Sequence, residues 1–285
     1  MEASLSDETL SALEDLKTIL RKLEERMNGF EKDPQHFSAH LSMQGYILHL
    51  RDNARAVILL SPEPSTGMAL WSNARGVFEA AQDFLLLVTS GSDFDLSGAR
   101  VRIFERLERA DWAAKYSEAF PEDGLGSRSE ILDHVASHIR NDAERIGRYA
   151  PERGQELLTA LDAGLLEFAS RGRSHWYGNR SAIAIEVEKR LGVGAEGEGK
   201  RQIQSYSALS RHSHPRFRAD GYHPDGDDVG IENALPSDSS RRSAILLTEQ
   251  ACALMWIGFN VFEGKPNLHG LDQFNFGIIA QIEDE

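Results

Sequence analysis

The sequence predicts an all-α protein, a helical bundle with an appended, smaller helical subdomain. Three observations carry this expectation. Apolar residues recur at steps of three and four in one segment after another. Glycine or proline punctuates the gaps between those segments. No stretch sustains the two-residue alternation or the βαβ rhythm of a sheet. At 285 residues the chain is long enough to bury a sizeable core, as one large domain or two closely packed ones.

The first helix is expected over 7–28, where Leu13, Leu16, Leu20, Leu23 and Met27 form an a/d seam about two heptads long. Ser6 is its N-cap and Gly29 its stop. Such a seam either dimerises or packs onto the body of its own chain. A second helix, 35–60, stops at Ser61-Pro62-Glu63-Pro64. A third, 65–88, ends at Gly91, and a fourth spans 100–119 before Pro121. Ser127 and Glu130 have capping-box spacing at the start of a fifth helix, 127–149. Pro151 separates it from a sixth, 152–170.

From Arg171 the composition changes. A loop holding Trp176 and Tyr177 leads into a short helix, 181–191, and then a glycine-rich linker, 192–199. A helix over 201–214 stops at Pro215. A long acidic loop, 219–240, is either disordered or a functional lid, and the last helix is 241–262. The domain organisation expected is therefore an N-terminal helix (1–30), a helical bundle (31–170) and a basic helical subdomain (171–285) that ends in a buried helix and an irregular tail.

The formal net charge of −14 argues against a protein that coats nucleic acid. Residues 171–218 nevertheless carry ten Lys/Arg against four Asp/Glu, a net of +6 that leaves −20 for the remainder. This local patch is a possible meeting place for nucleic acid. The polar, acidic N-terminus is no secretory signal, and the single cysteine, Cys252, sits in an apolar run and excludes an intrachain disulfide. The apolar run 251–259 is too short to span a bilayer and suits a buried helix. These features place the chain in the cytoplasm, with no membrane partner.

No P-loop, GxSxG, HExxH or GxGxxG motif is present, and no cofactor is implied. His134, His138 and Asp142 share one face of the fifth helix, a weak candidate metal set to which Glu79 or His49 would contribute; a solvated face is the competing reading. Arg75 and Glu79, four apart, form either an internal ion pair or the polar floor of a pocket. Tyr206, Ser210 and His214 also lie four apart, which gives one helix stripe two hydroxyls and an imidazole. They either cap and bridge a helix terminus or line a site. His214 lies in the last turn, where the helix end favours its protonated form.

Taken in order, Arg75-x-x-x-Glu79, then Trp176-x-Gly178-x-x-Ser181, then Tyr206-x-x-x-Ser210-x-x-x-His214, the chain resembles a prokaryotic family of all-helical proteins of unknown function between roughly residues 40 and 262. The resemblance implies an all-helical fold and points to Arg75, Glu79, Trp176, Ser181, Tyr206, Ser210 and His214. It carries no settled activity. The heptad-like first helix and the acidic loop fall outside its motifs.

Two functions are consistent with these residues. One is a non-catalytic binding or regulatory protein, with a small anionic ligand or a partner segment held among Arg75, Glu79, Trp176, Tyr177, Tyr206, Ser210 and His214. The other resembles the metal-independent ribonucleases of toxin and phage-defence systems. In it His214 would be the general acid/base, with Arg211 or Arg75 stabilising phosphate charge. Arg211 and His214 stand three apart, closer than that pattern usually has them. Those enzymes often work as dimers, and a homodimer is a possible assembly here.

Overall fold

The computed structural model describes residues 5–28, 37–63, 66–124, 126–171, 176–190 and 238–264. Among them every regular element is helical: α1 (Asp7–Asn28), α2 (Phe37–Leu60), α3 (Gly67–Val88), α4 (Phe94–Ala119), α5 (Arg128–Gly147), α6 (Pro151–Arg171), α7 (Arg180–Arg190) and α8 (Asp238–Phe262). The fold is all-α, as the periodicity predicts. Two starts lie three or more residues earlier than expected. A 3-10 turn, Gly91–Asp93, leads directly into α4, where Phe94, Ser97, Gly98 and Ala99 are buried although weak helix formers dilute the apolar pattern. α8 begins at Asp238, so the last residues of the expected acidic loop are helical. The expected helix 201–214, the rest of that loop and the C-terminal tail lie outside the described residues.

Packing divides the described chain into two compact units, whose limits cut across the segments that composition marks out. The first contains α1, residues 45–60 of α2, α3, residues 183–190 of α7, and α8. In it the leucine seam of α1 is covered by α8: Leu13, Leu16, Ile19, Leu20 and Leu23 are all buried. Polar contacts set the direction of that packing. Ser6 accepts from the Thr9 amide at 3.3 Å and so caps α1. The same hydroxyl donates to Asp238 at 2.6 Å, and the Thr9 hydroxyl does so at 2.9 Å, at the start of α8. Arg242 pairs with Glu8. Twenty residues further along, Arg26 pairs with Glu263 at 2.7 Å and lies over the ring of Trp256 at 4.5 Å. Start meets start and end meets end, so α1 and α8 run parallel. α3 runs the same way, because its Trp71 Nε1 donates to Ser240 Oγ at 3.1 Å while Phe84 packs on Phe259 at 4.9 Å. The Thr66 hydroxyl, just before α3, donates to the Leu60 carbonyl at the end of α2 at 2.8 Å.

α8 is long and apolar enough to cross a membrane, and 72% of its apolar window is buried within the fold. Its interior face carries Cys252, whose thiol is pushed up by burial and then by Glu249. It also carries Glu249 itself, only 6% exposed, with no hydrogen-bond partner for Oε2 among the described residues.

The second unit contains residues 37–44 of α2, then α4, α5, α6 and residues 176–182. Ser127 caps α5 as predicted: the Glu130 amide donates to its hydroxyl, and the Ser127 amide donates to the Glu130 carboxylate at 2.7 Å. The Ser127 amide, and then the Ser127 hydroxyl at 2.8 Å, donate to the Glu130 carboxylate and lower its pKa. Ile103, Leu107, Ile139, Leu157 and Leu161 form the core between α4, α5 and α6. At the α5–α6 turn a Cβ on Gly154 would lie 2.7 Å from the Ala143 carbonyl and 2.8 Å from Gly147 Cα, so the two backbones close to a separation that only glycine permits. α2 joins this unit through Ser42, which donates to the Gly98 carbonyl at 2.9 Å.

Candidate functional site

Arg75 and Glu79 lie on α3 in the first unit. Arg75 Nε donates to Glu79 Oε1 at 2.9 Å, with the two side chains 27% and 23% exposed. They therefore neutralise each other in place. Half-buried charges at four-residue spacing reduce their desolvation cost in this way.

Trp176 and Tyr177 belong to the second unit and pack edge to face at 5.7 Å. The motif around them is the entry to a helix: Asn179 Oδ1 accepts from the Ala182 amide at 2.8 Å and caps α7. Trp176 also lines a cavity of about 120 Å³ with Arg100, Phe104 and Gly164. Tyr206, Ser210, Arg211 and His214 lie outside the described residues. Ser181 lies in the first turn of α7.

The candidate metal set does not hold together. His134 and His138 do meet, Nε2 to Nε2 at 3.0 Å, so one ring donates and the other accepts. Asp142 instead takes Arg106 Nη1 on one oxygen and Arg145 Nη2 on the other, each at 3.2 Å. Spacing along α5 alone did not foresee Arg106, which α4 brings to this carboxylate beside Arg145. Among the described residues no group of three or more His, Cys, Asp or Glu is placed to hold a metal ion.

Those arginines mark a site that counting charge along the chain missed. Between α4 and α5 lies a groove of about 430 Å³. Its floor is Ala110, Ala113, Ile131 and Val135, and its polar walls are Arg106, Arg109, His138 and Asp142. A second, smaller hollow of about 40 Å³ continues past Arg102 and Arg145. Arg102, Arg106 and Arg109 share one stripe of α4, with Glu105 between them. Burial lowers the Arg102 pKa, and the neighbouring Arg106 lowers it further, as expected for crowded guanidiniums. Arg109 is exposed and has no ion-pair partner among the described residues. A site with several guanidiniums, an imidazole and an apolar floor suits an anion that carries an apolar body. The available signal was the Arg102-x-x-x-Arg106-x-x-Arg109 spacing, which places these cations on a single face while most acidic residues of α4 fall elsewhere.

No family model, curated protein or solved structure matches this chain.

Proposed function

We propose that this is a non-catalytic binding protein that takes a small organic anion in the groove between α4 and α5. The observation that carries the reading is that Arg109, which has no ion-pair partner among the described residues, stands over an apolar floor in a groove of about 430 Å³. Arg106 and Arg145 share a single carboxylate, Asp142, so positive charge is in excess there. The Arg75–Glu79 pair fits the reading as a structural pair, because each group already satisfies the other's charge.

Isothermal titration with inorganic pyrophosphate and with adenosine monophosphate, at about 50 mM salt, tests the proposal. Saturable binding that weakens as salt is raised is expected, with at least about a fivefold loss in Arg109→Gln. No heat from either probe up to millimolar concentration would sink the reading. So would equal affinity in the folded variant.

A further inference from the structure

We propose that the face of α4 from Arg102 to Phe120 is a platform for single-stranded nucleic acid. Arg102, Arg106 and Arg109 would meet phosphates, and Trp112, Tyr116 and Phe120 would lie under the bases. The inference rests on the anion groove described above and names its ligand class.

Three aromatic side chains stand in a row on the solvent side of α4. Trp112 is 69% exposed, Tyr116 36% and Phe120 45%. Their rings touch in sequence, Trp112 stacked on Tyr116 at 5.8 Å and Tyr116 against Phe120 at 4.8 Å. Single exposed aromatics are ordinary on a protein surface, but a contiguous ladder of three leaves apolar area in water that covers no core. This ladder is collinear with the arginines. The steps 102, 106, 109, 112 and 116 are four, three, three and four residues, which keeps these five on one side of the helix, and Phe120, the residue that ends it, closes on Tyr116. At 1.5 Å per residue the helical part of it, 102–116, is about 21 Å long.

Charge and chemistry then select the occupant. Of the carboxylates on this face, Asp142 is engaged by Arg106 and Arg145, and Glu105 raises the pKa of neighbouring Arg102. The positive charge left over is greatest at Arg109, one turn before Trp112. Cations followed by stacked rings suit a chain of alternating phosphates and flat bases. A lone anion would leave the ladder unused, and a duplex hides its base faces in its own stack. The chain as a whole carries −14, so phosphate is held here only by local positive charge and binding is salt-sensitive.

The test is fluorescence anisotropy of labelled dT15 and rU15 with the full-length chain at about 50 mM salt, beside a 15-base-pair duplex. Saturable binding of the single strands is expected, with the duplex weaker. About three phosphate contacts predict a slope of log affinity on log salt near −2. Trp112→Ala/Tyr116→Ala should lose roughly tenfold or more with the salt slope unchanged. Arg102→Gln/Arg109→Gln should lose affinity and flatten the slope. Trp112, Tyr116 and Arg109 are exposed and Arg102 is half-buried, and circular dichroism will show that the variants fold.

Failure to bind either single strand overturns the proposal, as does binding indifferent to the aromatic pair. Sedimentation in which wild type dimerises and Trp112→Ala/Tyr116→Ala does not would assign the ladder to a second copy of the chain and also overturn it. If pyrophosphate binds the groove and neither oligonucleotide does, the small-anion reading stands and the platform alone is refuted.

Discussion

Glu249 offers a direct test of how α8 is buried. Its carboxyl is raised from 4.5 to about 7, first by burial and second by Asp15 on α1. Because the folded pKa lies above the unfolded one, the folded chain binds the extra proton between those two values. The stability this group contributes is complete below about pH 4.5 and is lost as pH rises through 7. At about 1.4 kcal/mol per unit the shift sets an upper bound of ~3.5 kcal/mol, and relaxation around the charge brings the expected range to about 1–3 kcal/mol. Replacing Glu249 with Gln removes the charge at nearly constant shape. Urea unfolding of wild type and Glu249→Gln at pH 5 and pH 8 reads the effect. The variant should gain about 1–3 kcal/mol on wild type between those two pH values. The new amide donors add a term that does not depend on pH, so the change in the difference is the signal. A difference that stays constant, or one that shrinks as pH rises, would refute a buried, unpaired Glu249 on this face.

Two further outcomes follow from local geometry. Gly154→Ala should destabilise by about 1–2 kcal/mol in thermal unfolding, since its Cβ would meet α5 backbone that cannot swing aside. Stabilisation by the roughly 1 kcal/mol that alanine usually brings to a helix would show that α5 and α6 do not approach closely there. Ser127→Ala should cost about 1 kcal/mol by opening the capping box at the start of α5, and an unchanged midpoint would count against that cap.

Much of the fold was readable from residue spacing because helix boundaries are local events. Asp7–Asn28 is delimited as the leucine seam and Ser6 indicate, and the Ser127/Glu130 cap forms as its spacing requires. Boundaries differ where local signals are weak, as at Phe94–Ala99 in α4, whose small residues Ser97, Gly98 and Ala99 are helical because the second unit buries them. The candidate sites were less legible. Arg75 and Glu79 do pair, as i,i+4 spacing suggests. Asp142 was grouped with histidines because spacing sees only its own helix. The groove needs two helices, and the signal for its cations was a stripe hidden by the net charge of the segment.

By itself the sequence determined that the chain is helical, where most helices begin and end, and which face of each is apolar. It did not determine partners. The apolar stripes of α1, α3 and α8 are nearly interchangeable as hydrophobic surfaces, because burial is non-directional and proportional to area. Tertiary structure settled the choice with directional contacts between residues more than two hundred positions apart, Ser6 with Asp238 and Arg26 with Glu263. Those bonds need particular atoms at particular distances, and they make α1 and α8 run parallel. In the same way, only the packing of α4 on α5 turned a scatter of arginines into a groove.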